Sequence, residues 1–239
     1  MNVYSGAFSF GSYLAGSVDE RTGQYLSKVK LATLYPSGPL EVSKHVTLSF
    51  SMLNTQPSRY GIGWRISNTE FDVDTLTLTL LTGERYKTQS LPSVGGTLAF
   101  TDRKLKDLVV KRPTADTLHV IYKDGTVEVL KKHGSTVPYR INAIQFENGE
   151  SLSFRYALGE PLDRILNQKG EELVVLTYSQ SWILSTVDSL VDGGHYARVR
   201  FSYTNGYLTG VTVPYDLSGP PGSAAYTFAY TVFRNGLSA

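Results

Sequence analysis

"FSYTNGYLTGVTV", residues 201–213, reads as two short strands around a tight turn. Phe201, Tyr203, Leu208, Val211 and Val213 supply the apolar positions, and Asn205-Gly206 stands between them. Asn-Gly tolerates positive φ at both central positions of a type I′ turn, whose twist matches that of the flanking strands. A lone hairpin cannot bury an apolar face in water, so the fold turns on whether this unit recurs.

The same spacing recurs along the chain. Phe154-Arg155-Tyr156 is followed by Leu162 and Ile165, six and nine residues after the tyrosine. Leu176-Thr177-Tyr178 is followed by Leu184 and Val187 at the same offsets, and Phe201-Ser202-Tyr203 by Leu208 and Val211 at five and eight. Phe228-Ala229-Tyr230 opens a further unit that is cut short nine residues after its tyrosine. Successive tyrosines stand 22, 25 and 27 residues apart, so the period is elastic. Hairpin tips such as "VDGGHY" (191–196) and "DLSGPPGSA" (216–224) absorb the difference. Turn signals at Asp124-Gly125, Asn148-Gly149, Lys169-Gly170, Asn205-Gly206 and Asn235-Gly236 point the same way. The expectation is a set of hairpins stacked edge to edge, each sharing its apolar face with its neighbours.

Strict alternation supports strands elsewhere too, as in "HVTLSFSML" (45–53) and "TLTLTLLTGERY" (75–86). Stretches long enough for a helix are cut by Gly or Pro or are rich in β-branched residues. Sixteen tyrosines favour strands further. The fold class is therefore all-β and antiparallel. With 23 basic and 21 acidic residues, the chain lacks the charge excess of a nucleic-acid binder. The absence of Cys excludes disulfides and thiol chemistry, which fits a cytoplasmic protein or one exported by a route that skips oxidative folding. No basic n-region marks a Sec signal, and no apolar run reaches spanning length, so a soluble chain is expected.

The unit from Phe201 to Val211, Phe-x-Tyr-x-x-Gly-x-Leu-x-x-Val, resembles the RHS/YD repeat, usually Tyr-Asp-x-x-Gly-Arg-Leu. Ala157, Ser179, Thr204 and Thr231 stand where the family carries its Asp, and Tyr207 replaces the Arg. A second resemblance lies in "VDERTGQYLSKVKL" (18–31), "VTLSFSMLNTQPSRYGIGWRIS" (46–67) and "LTLLTGERYK" (78–87), which is similar to the opening region of RHS-type proteins. The resemblance implies a spiralling, curved sheet forming part of a hollow shell around a C-terminal toxin or effector segment. It further implies a bacterial protein that is cytoplasmic before export and then delivered by a non-Sec route. Its partners would be downstream RHS repeats and the toxin domain of the same polypeptide, with a secretion or toxin-complex component. The family's aspartate-based self-cleavage core has no counterpart in this sequence. Residues 1–95 are expected to form the strand-rich opening segment and residues 96–239 the divergent YD-like hairpins. "LPSVGGTLAF" (91–100) is the join, or else a hairpin tip.

No catalytic set emerges, and neither a metal nor a cofactor is expected. His45, His119, His133 and His195 are not spaced as ligands. Asp72 and Asp74 would share one strand face, where a solvated surface explains them. Asp192 and His195 fit a polar tip. Gly61-Ile62-Gly63-Trp64 has no following helix to bind phosphate, and a tight turn admitting a buried Trp64 accounts for it. Lys104, Lys106, Lys111, Arg112, Lys131 and Lys132 read as solvated hairpin edges. The structural positions are Phe154, Tyr156, Leu176, Tyr178, Phe201, Tyr203, Phe228 and Tyr230. Trp182, Tyr207 and Tyr215 fall outside that register. They are the candidate ligand surface under the alternative reading, a carbohydrate or cell-surface binding module working through exposed aromatics.

Overall fold

The computed structural model describes residues 14–19, 24–34, 44–52, 55–101, 107–132, 138–157, 161–191, 195–214 and 223–230. Among these every regular element is a strand, and all pairings are antiparallel. None includes a helix long and apolar enough to cross a membrane. Asn235-Gly236, His133, Lys104, Lys106 and Tyr215 lie outside the described residues, as does the side chain of His195.

Four strands form a first sheet in chain order: β1 (Leu14–Asp19), β2 (Gln24–Leu34), β3 (Lys44–Ser51) and β4 (Trp64–Ile66). In β2, Val29 and Leu31 are buried, and so are Ala32 and Leu34. A strict period of two cannot do this. A bulge between Lys30 and Ala32 inserts Leu31 as an extra residue and shifts the buried set from odd to even positions. In β3 the expected alternation holds, with Val46 and Leu48 facing the core.

The second sheet is a meander. β8 (Leu108–Thr114), β9 (Thr117–Tyr122), β10 (Val127–Lys131), β11 (Tyr139–Gln145), β12 (Ser151–Tyr156) and β13 (Leu162–Asn167) each pair with the next. The order continues through β14 (Glu172–Tyr178), β15 (Leu184–Val191), β16 (His195–Thr204), β17 (Tyr207–Pro214) and β18 (Ser223–Thr227). A side branch of β5 (Glu70–Asp72), β6 (Thr77–Thr79) and β7 (Arg85–Lys87) joins it through Phe71 opposite Tyr139. Strands from 70–87 and 108–227 thus share one sheet. Residues 91–100 join neighbouring strands: Leu98 N donates to Val110 O and Arg112 N to Gly96 O, covering the edge of β8.

The stretch 75–86 departs from its expected single strand. The Asp72 carboxylate accepts Asp74 N at 2.9 Å and Thr75 N at 3.0 Å, closing a turn before β6 begins. Leu76 sits in that turn at φ 50°. Those hydrogen bonds outweigh partial burial and hold the Asp72 carboxyl below its ordinary range. Asp72 and Asp74 therefore do not share a strand face.

Three hairpins have the same register. Phe154 faces Ile165 and Tyr156 faces Leu162; Leu176 faces Val187 and Tyr178 faces Leu184; Phe201 faces Val211 and Tyr203 faces Leu208. In each, a bulge falls immediately before the tyrosine. The partners of Phe154, Leu176 and Phe201, and those of the tyrosines, are all buried on one face. That face forms a single core with Val29, Leu48 and Trp64 of the first sheet, and β2 lies against β15.

Candidate functional site

Where the two sheets meet, the 58–64 loop lies against the ends of the hairpins. Arg59 O accepts Leu184 N at 2.8 Å, and Ile62 N donates to Gly206 O at 2.9 Å. Each bond joins a residue near the Gly-x-Gly-Trp motif to a different hairpin. The loop is shaped by Ser58, whose hydroxyl lies 2.8 Å from Gly61 O and 2.7 Å from Trp64 O and accepts Tyr60 N. Gly61 and Gly63 both adopt positive φ. A Cβ on Gly63 would come within 2.3 Å of the Phe50 ring, and one on Gly61 within 2.9 Å of Leu208 N. Close approach is what both glycines provide.

Trp64, only 1% exposed, closes this junction as the expected buried residue. Its ring packs at 5.3 Å from Phe50 and edge-on at 5.0 Å from Phe228. Its Nε1 donates to the Tyr230 hydroxyl at 2.8 Å, which in turn donates to Leu208 O at 2.6 Å. A chain of two hydrogen bonds thus ties the first sheet to the last hairpin.

The tyrosines form a row along the same seam. Tyr156 donates to Ile141 O at 2.8 Å and Tyr178 to Leu162 O at 2.7 Å, each reaching the strand before its own. Tyr203 occupies the equivalent place, yet its buried hydroxyl has no hydrogen-bond partner among the described residues. Tyr60, from the loop, shares a hydrogen bond with Tyr178. Burial raises all of these phenols above their ordinary range. Glu70 lies near Arg140 and Arg65, and burial raises its carboxyl despite their charge. Tyr60 is a central residue that stands outside the repeat register, because it precedes the Gly-x-Gly-Trp motif instead of following an apolar-x spacing.

The candidate ligand residues separate. Tyr207 is half-buried and packs on Tyr230 with ring centres 5.0 Å apart. Trp182 is 41% exposed, with the Arg59 guanidinium 5.6 Å from its ring centre. Of the basic stretch, Lys111 and Lys131 are exposed, whereas Arg112 is half-buried and donates to Pro92 O and Ala115 O. Among the described residues no three His, Cys, Asp or Glu side chains are grouped to hold a metal. His45 instead pairs Nδ1 with the Thr33 hydroxyl at 3.2 Å. No protein-family model matches the chain, and no curated protein matches it in sequence.

Proposed function

We propose that this chain is a non-enzymatic segment of an RHS/YD-type β-shell, in which successive hairpins extend one sheet around a downstream toxin or effector domain. The observation that carries this reading is the shared register of the three hairpins, each with its bulge before the tyrosine. A unit that pairs in the same way each time adds to a sheet without ending it. The sheet also has the two faces that containment needs. Phe154, Leu176 and Val187 are buried on one, and Arg155, Arg198 and Arg200 are exposed on the other. In this reading the first sheet and the 58–64 loop close one end of the shell. Export by a non-Sec route and assembly with a secretion component belong to the same reading.

Cryo-electron microscopy of the natural full-length gene product tests it. The sheet should continue past Ser223–Thr227 into further hairpins that surround an enclosed segment. A product in which no hairpin pairs beyond that strand, or in which the sheet encloses nothing but its own first strands, would overturn the reading.

A further inference from the structure

Five hairpin turns share one hydrogen-bond pattern. In each, the first residue donates its N–H to the carbonyl four residues on and accepts from the N–H three residues on. The pairs run Leu80–Glu84, Tyr122–Thr126, Phe146–Glu150, Asn167–Glu171 and Ser179–Ile183. The fourth residue of such a turn must take positive φ. It is Gly83, Gly125, Gly149 and Gly170 in four of them, at φ between 79° and 93°. In the fifth it is Trp182, at φ 58°. A bulky side chain in the left-handed region carries an energetic penalty that glycine avoids, and such outliers cluster where a residue is kept for what it contacts.

The core does not supply that contact. Trp182 points outward, and the residues around it in the turn, Ser179, Gln180 and Ser181, are polar and exposed. Arg59, held by the bond from Leu184 N to its carbonyl, places its guanidinium over the ring. The result is an exposed indole with a guanidinium lying over its ring, in a turn whose other side chains are polar. A pyranose ring suits such a surface: its C–H faces carry the partial positive charge that meets an aromatic face, and its hydroxyls meet the polar side chains of the turn.

We infer that Trp182 and Arg59, with Gln180 and Ser181, form a binding site for a pyranose of an oligosaccharide at the tip of the β14–β15 hairpin. This site is independent of the containment reading, because it lies on an exposed tip and uses none of the row tyrosines. Titration of the chain with chitotriose, cellotriose and sialyllactose tests it, followed by intrinsic fluorescence and calorimetry. At least one of the three should bind with a Kd below about 5 mM. Trp182→Gly should weaken that binding by at least about tenfold and, by removing the backbone strain, should raise the melting temperature. Trp182→Phe should retain part of the binding. Failure of all three sugars to bind would overturn the site. So would a Trp182→Gly variant that melts below the wild type, since Trp182 would then be held there for stability.

Discussion

Tyr203 differs from its three counterparts by one hydrogen bond. The hydroxyls of Tyr156, Tyr178 and Tyr230 each donate to a carbonyl, so truncating one leaves a buried acceptor short of its partner. Tyr178→Phe should therefore destabilise by about 1 kcal/mol. Tyr203→Phe removes a buried hydroxyl with no partner to lose, so it should be neutral or stabilising. Chemical denaturation of the two variants checks the contrast, and equal losses would contradict it. The glycines separate in a comparable way. Gly63 and Gly149 have nearly equal positive φ, at 86° and 85°. A Cβ on Gly149 meets nothing within 4 Å, whereas one on Gly63 collides with Phe50. Gly149→Ala should cost only the backbone term, about 1 kcal/mol, and Gly63→Ala clearly more in the same measurement.

At the scale of single elements, the sequence revealed those hairpins whose signals are local. The apolar-x-Tyr spacing named the residues that face one another in β12–β13, β14–β15 and β16–β17, since a residue's offset from a turn sets its register. Asn205-Gly206 takes positive φ at both positions, as a type I′ turn requires. Two features were hidden. The turn at Ser179–Ile183 contains no Gly or Asn, so it carries no signal at its left-handed position. Glu128 sits in an ordinary-looking strand, yet it is only 1% exposed and accepts a hydrogen bond from the Tyr122 hydroxyl at 3.1 Å. Two of the groups that act on it, Thr69 and Lys44, stand far off in sequence. That burial raises its carboxyl above the ordinary range, against the hydrogen bonds from Thr69 and Tyr122 and the charge of Lys44, with Asp124 adding to the rise. Below the ordinary carboxylate range, the folded and unfolded chains both hold the proton. As pH rises through that range the unfolded chain releases its proton first, so stability falls until the folded carboxyl also ionises. Glu128→Gln should remove this fall, leaving the variant more stable than the wild type at pH 7 and closest to it in acid. Melting curves across pH 4 to 8 would show it. A gap between the two that widens in acid would contradict the assignment.

At the scale of the molecule, the meander and the first sheet depend on different kinds of contact. Neighbouring strands of the meander are close in sequence, and such pairings form with little loop-closure entropy. Docking of the first sheet joins Trp64 to Tyr230 across 166 residues. No local signal in the sequence announces that contact; the Gly-x-Gly spacing shows only that something large must approach closely. Trp64→Ala removes the ring that packs on Phe50 and Phe228 and leaves the Tyr230 hydroxyl without its indole donor. The loss should be about 3–5 kcal/mol, the range for emptying a buried aromatic site. Because the two sheets share one core, the loss should not stay in β4. Hydrogen exchange should quicken together at Leu48 in the first sheet and at Leu208 and Val211 in β17, whose side chains are all buried in that core. The early meander should respond less, since β9 and β10 keep their own local pairing. If Leu48 exchanged faster while Leu208 and Val211 kept their wild-type protection, the first sheet would be an independent unit, and the 58–64 loop would not be what holds the last hairpins to it.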